Sequence, residues 1–272
     1  NVDLAFKSLG TLGGGNHFIE LNRDDDGHLW LVIHTGSRHL GLEVAKHYQD
    51  LGYHKIKSSD IKEKIDATIT RLKAEGKHRD IENTIKIFKM QEPHIPKDLC
   101  YVTGQDMKDY LHDIKLTQEH ATINHKTIAN TIINRMGWHI TDEIHTMHNY
   151  IDVDNMILRK GSVSAQKDER LIIPINMRDG SLICIGKGNE DWNYSAPHGA
   201  GRVMSRSQAF KLISMNDFTQ SMNGIYSETI TEATKDESPM VYKPMNEIMG
   251  NIADTVDTVS IIKSIFNFKA AE

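Results

Sequence analysis

Between Asp106 and Met136 the apolar residues Met107, Leu111, Ile114, Ala121, Ile128 and Ile132 recur at helical spacing. No glycine or proline interrupts them, and Gly137 then stops the pattern. A helix of that length divides the chain into two differently patterned halves. Downstream, the segments Asn149–Leu158, Arg170–Ile175 and Ser181–Ile185 read as strands. A helix is expected just after Gly201, and a final one over about Asn246–Ile262, before an extended tail ending at Phe266-Asn267-Phe268-Lys269. Upstream, His17–Leu21 and Leu29–His34 read as two strands joined by the polar turn Asn22–Gly27. A helix over Gly41–Tyr53 follows, then a charged stretch, Ile61–Met90, read as surface helices broken at Gly76. Strands and helices mix without βαβ regularity, so the expected class is α+β, with mixed or antiparallel sheets flanked by helices. We expect one domain over 1–272, with peripheral helices inserted over 55–136. The chain opens at Asn1 and runs at once into a glycine-rich motif, as a chain entered part-way through a domain would.

With 272 residues, 39% hydrophobic and 25% charged, the chain can bury a core and is not of disordered type. No run of about 18 apolar residues is present for a membrane span. Two cysteines, Cys100 and Cys184, suggest no disulfide framework and make a reducing cytoplasm the expected setting. Cys100 has no CxxC partner and reads as a buried structural thiol. A net charge of −5 argues against a broad basic coat but leaves room for a local basic groove.

The fifteen histidines are unusual, and several adjoin glycine or asparagine in tight-turn contexts. Gly13-Gly14-Gly15 leads into Asn16-His17 at a strand start, where glycine permits close backbone approach to a metal or phosphate. Leu31-Val32-Ile33 delivers His34, followed by Thr35-Gly36-Ser37-Arg38; a hairpin would bring His17 and His34 together, and imidazole suits Mn, Fe and Zn. His148, followed by Asn149, is a third candidate, with His139 and His145 as competitors. His198-Gly199-Ala200-Gly201-Arg202 is the sharpest motif. The expected helix puts Arg202 and Arg206, four and eight residues on, near one face, and gives the turn a positive dipole end for phosphate. A histidine there suits covalent catalysis by a ring nitrogen, or simply a phosphate-binding helix start. Arg159, Lys160, Arg178, Lys187 and Lys269 sit near these glycine-rich motifs and are read as anion contacts.

The motifs GGGNHFIEL, HTGSR, HNY, RKGS and HGAGRVMSR, in this order over nearly the whole chain, resemble the RtcB RNA ligases. That resemblance implies GTP and Mn²⁺ as cofactors, a histidine–GMP intermediate, and joining of an RNA 3′-phosphate or 2′,3′-cyclic phosphate to a 5′-hydroxyl. It implies His198 as the guanylylated nucleophile and His17, His34 and His148 as metal ligands. Asn16 and Asn149 would then lie near the phosphates, Glu20 and Lys269 would read guanine, and Tyr242 matches less closely. Arg38, Lys160, Arg202 and Arg206 would hold triphosphate or RNA phosphate. The chain departs from the family twice. No Asp-x-x-Cys motif is present, so its carboxylate and thiolate ligands are expected on an upstream segment. Pro174-Ile175-Asn176-Met177 replaces Pro-Gly-Ser-Met, placing Asn176 where a serine would meet the nucleotide. A metal-dependent phosphohydrolase with a phosphohistidine, or an inactive nucleotide- or RNA-binding fragment, would share the histidines and arginines.

Overall fold

The structure is a computed structural model that describes residues 2–90 and 96–270. Residues 91–95 of the segment expected as an insertion lie outside the described residues. The chain divides into two compact units, one of residues 1–38 with 118–272 and one of residues 39–117.

In the first unit a short helix α1 (Val2–Ser8) precedes the hairpin β1 (Phe18–Arg23) and β2 (Leu29–His34), which pairs Phe18 with His34. The second unit holds α2 (Leu40–Ala74), which runs on well past the expected end at Tyr53, and α3 (Ile81–Met90). Its own packing includes the Tyr48 hydroxyl donating to Asp113 at 2.8 Å and the Tyr48 and Tyr110 rings 5.0 Å apart. Cys100 is only partly covered, because it follows a short exposed turn; Cys184 is the fully buried thiol. The long helix α4 (Gly104–Met136) begins in this unit and ends in the first, where Gly137 takes φ of +65°.

The expected strand at Asn149–Leu158 is instead a hairpin, β3 (His148–Asp152) and β4 (Ile157–Ser164). Asp152 Oδ1 accepts from the Asn155 amide at 3.1 Å and closes the turn, a short-range cue hidden inside an otherwise strand-like run. β5 (Arg170–Asn176) and β6 (Gly180–Gly186) follow as read, and β7 (Ser195–Pro197) joins β4. α5 (Arg206–Leu212) begins four residues later than expected, so Arg202 lies off the helix, and α6 (Met215–Ser221) follows. The expected helix over Asn246–Ile262 is also corrected: α7 (Met245–Ile252) is short, and β8 (Val256–Lys269) is a 14-residue strand. Its first half, Val256 to Ile262, is rich in β-branched side chains, which favour the pleated state once neighbouring strands are present.

β8 lies at the centre of a five-stranded antiparallel sheet ordered β2-β1-β8-β6-β5; a second sheet is ordered β3-β4-β7. Leu171, Ile173, Ile175, Leu182 and Cys184 face one way, onto Ile248, Ile252 and Val256. Ile183 faces the other, with Phe18, Val32 and Ile262. The middle of this sheet is therefore apolar on both faces, and the class is α+β.

Arg159 on β4 is 1% exposed and binds inside the small sheet. It donates to Asp152 at 2.8 Å, to the Tyr150 hydroxyl at 3.1 Å and to Ser195 Oγ at 3.0 Å. It thus ties β3 to β7 and is not a free anion contact. Arg159→Ala is expected to cost about 3–5 kcal/mol in urea denaturation, since it strands the Asp152 charge; a loss under about 1 kcal/mol would show that the pair does not hold this sheet.

Candidate functional site

The GGG loop ends with the His17 ring turned back on its own chain. Its Nδ1 lies 2.8 Å from the Leu12 carbonyl oxygen, which can only accept, so Nδ1 carries the proton and Nε2 keeps its lone pair. The hairpin register sets His34 beside it, with ring centroids 5.5 Å apart. β3 supplies His148, whose Nε2 lies 3.0 Å from His34 Nε2. The His198 ring stacks on His148 with centroids 5.0 Å apart and planes at 26°. His17, His34, His148 and His198 therefore form one row of imidazoles drawn from four separate motifs.

A 3.0 Å separation of two imidazole nitrogens suits either a shared proton or two ligands of one cation at about 2.1 Å. The ring nitrogens fit a cation in protonation state too. Burial, then the charges of His148 and His17, holds His34 well below the usual histidine value. Burial, then His198, brings His148 down to about 4, against an opposing bond from Asn149. Burial also lowers His17, only partly offset by the Leu12 bond. All three rings are therefore neutral near pH 7, the state in which an imidazole can bind a cation. The ring nitrogens of His17, His34 and His148 do not all lie within 4.8 Å of one another; among the described residues the only triad of ligand atoms that does is Asp24, Asp26 and His28, on the exposed β1–β2 turn.

The other expected residues divide clearly. Asn149, at φ of +54°, accepts from the Gly161 amide at 2.7 Å and pins the irregularity that lets His148 project, while exposed Lys160 contributes charge near His148. Asn16 is exposed at the loop rim. Arg38 donates to Thr11 Oγ1 at 3.1 Å and fills the space beside Gly13, where any Cβ would strike its guanidinium. Asn176 spends its amide on the β5–β6 turn, accepting from the Arg178 and Asp179 amides at 3.0 and 2.9 Å. It and Tyr242 line a cleft of about 820 Å³, together with Arg178, Lys243 and Lys263. Arg178 is paired with Asp179, and Lys187 with Asp257.

Tyr242, Lys269, Arg202 and Arg206 gather around two carboxylates that sequence reasoning missed. Glu237 Oε2 accepts from Lys269 at 2.9 Å and from the Tyr242 hydroxyl at 2.6 Å, and Oε1 from Arg202 at 3.3 Å. Asp236 accepts from Arg206 at 2.7 Å. The two arginines thus converge through a buried Asp-Glu pair and not along a helix face, and the seven-residue α5 supplies no dipole argument. Burial pushes Glu237 up, but Lys269 and the hydrogen bonds outweigh it, so it stays below the ordinary range. Burial and the Glu237 charge raise Tyr242. Glu20, 2% exposed, receives bonds from Asn267 at 2.6 Å and Asn22 at 3.3 Å, yet burial dominates and pushes it up to about 7. The polar run Glu232–Glu237 carries no motif; the fold buries Thr234, Asp236 and Glu237 within it.

Comparison with known proteins now bears on this arrangement. The family described as tRNA-splicing ligase RtcB matches residues 2–270. The RNA-splicing ligase RtcB of Escherichia coli (strain K12) is 29% identical over 280 residues, covering 96% of this chain and 60% of that protein. A tRNA-splicing ligase RtcB of Aeropyrum pernix is 26% identical, covering 89% and 55%. An RNA-splicing ligase RtcB homolog of Entamoeba dispar is 25% identical, covering 96% and 53%. The chain spans about 60% of the length of the first of these relatives. Among the described residues no helix is long and apolar enough to cross a membrane.

The depressed His148 value has a stability consequence. Between about pH 4 and 6.5 the unfolded chain binds a proton there that the folded chain refuses, so this group makes stability rise with pH across that window. Glu20, raised to about 7, gives the opposite slope over roughly 4.5 to 7. Comparing denaturation midpoints of wild type and His148→Asn at pH 4.5 and 7 isolates the histidine: the acid loss should shrink in the variant. An unchanged pH difference would show that His148 titrates normally.

Proposed function

The chain belongs to the RtcB family, and on that premise we propose that it is the part of a GTP-dependent RNA ligase that carries the nucleophilic histidine. The row of imidazoles ending in His198 carries this reading. It sets a candidate nucleophile against His148, itself 3.0 Å from His34. A divalent cation, Mn²⁺ in this reading, would be held by His34 and His148 with His17 beside them; when bound it polarises a phosphate and stabilises the leaving pyrophosphate.

The residues of the chain do the rest. A neutral His198 nitrogen forms a bond to the α-phosphorus of GTP as the bond to pyrophosphate breaks, and the ring proton leaves to solvent or base. Arg202 and Arg206, drawn together by Glu237 and Asp236, would balance the negative charge that develops. Arg206, half exposed, has the greater freedom to turn from Asp236 toward a phosphate. Glu20, protonated for part of the time near neutral pH, and Lys269 offer a hydrogen-bonding pair for a purine edge. An RNA 3′-phosphate oxygen then displaces His198 from the GMP phosphorus. A 5′-hydroxyl attacks the activated 3′-end and releases GMP; a 2′,3′-cyclic phosphate would first be hydrolysed. RNA bearing those ends is the proposed partner, in tRNA splicing or RNA repair.

Incubation with α-labelled GTP and Mn²⁺ is expected to give acid-labile label on the wild-type chain, with His198→Ala at background and ATP ineffective. Equal labelling from ATP would favour a phosphohydrolase. Absence of label, both here and with the chain extended upstream, overturns the ligase reading.

A further inference from the structure

Asn124, on α4, is fully buried and lies within hydrogen-bond distance of groups on two loops far from it in sequence. Its Oδ1 accepts from the Gly10 amide at 2.7 Å and the Thr11 amide at 3.2 Å. Its Nδ2, with two protons to give, has three acceptors within reach: the Thr11 carbonyl at 3.1 Å, Thr35 Oγ1 at 3.2 Å and the Gly36 carbonyl at 3.3 Å. The first loop leads to His17, and the second begins at His34. Such an amide, satisfied on both ends, fixes two backbone segments against each other.

Thr35 passes this order on. Its hydroxyl, 6% exposed as a residue, donates to the Leu12 carbonyl at 2.6 Å. That same carbonyl accepts from His17 Nδ1 at 2.8 Å. One carbonyl therefore receives both the hydroxyl that Asn124 orients and the ring proton of His17. His125, next on α4, adds a bond from Nε2 to the Thr35 carbonyl at 3.1 Å.

We propose that Asn124 is a positioning residue for the histidine row: through Thr35 and the Leu12 carbonyl it holds His17 as the Nδ1–H tautomer and locks the His17 and His34 loops together. The inference rests on the reading of His17 and His34 as ligands, because only then does a fixed Nε2 lone pair matter. Its consequence is that the ring nitrogens are arranged before any ion arrives, which is how outer partners strengthen metal sites.

The test uses the metal-free chain first. Long-range ¹H–¹⁵N spectra at pH 7.5 should show His17 as Nδ1–H in wild type. Asn124→Ala and Thr35→Val should shift it toward Nε2–H, while Thr35→Ser, which keeps the hydroxyl, should restore the wild-type pattern. Thr35→Val carries the test alone if Asn124→Ala does not fold. Mn²⁺ affinity, read by electron paramagnetic resonance, should fall by about 10- to 100-fold in the two disruptive variants. A purely structural Asn124 would lower the unfolding midpoint without moving the His17 tautomer, and that result overturns the inference. A wild type that shows the Nδ1–H tautomer, with variants that shift it, but binds no Mn²⁺ would instead sink the ligand reading and leave the positioning intact.

Discussion

β8 pairs along Val256–Ile262 with β6 and along Lys263–Lys269 with β1, so a single strand carries two different neighbours in succession. The hairpin that bears His17 and His34 is joined through it to the apolar core around Leu182 and Ile173. A lone two-stranded hairpin is marginal in water, and the strand supplies the third member it needs. The pairing also fixes which side chains share a face. Phe18, Glu20 and Asn22 on β1 alternate with residues of β8 such that Asn267 reaches Glu20 and Lys269 lies over Phe18, 4.8 Å from its ring centre. Site and core are therefore products of the same register.

Lys269 separates two buried carboxylates with opposite behaviour. Glu237 bonds it directly and stays ionised; Glu20, served only by amides and a more distant charge, is pushed up toward neutrality. Environment, not residue type, divides an acceptor from a part-time donor here. The same economy shows in the basic residues. Arg159, Arg178 and Lys187 are occupied by structural partners, and Arg202 and Arg206 by Glu237 and Asp236, so the latter two meet a phosphate only by exchanging partners.

Local signals were readable where the chain decides locally. The α4 periodicity, the Gly137 stop and the β1–β2 turn all emerge from residues a few positions apart. The four histidines of the row were also legible: His17, His148 and His198 stand beside asparagine or glycine, and His34 ends an apolar strand two residues before Gly36. The misread tail has a long-range cause. Val256–Lys269 has apolar residues compatible with a helix or a strand, and only pairing with β1 and β6 decides between them. Asp236, Glu237 and Asn124 look like ordinary polar surface; their partners lie 30 to 114 residues away, so burial alone reveals them.

The β1–β8 pairing joins residues near position 20 to residues near position 267. Closing that span comes late in any folding route, because the entropy of a loop of more than 240 residues is lost before the contact gives anything back. During synthesis the hairpin with His17 and His34 leaves the ribosome long before its sheet neighbour exists. Glu20, too, lacks Asn267 and Lys269 until the last strand is made. A nascent or shortened chain therefore holds the His17 and His34 hairpin without the strand that joins it to the core.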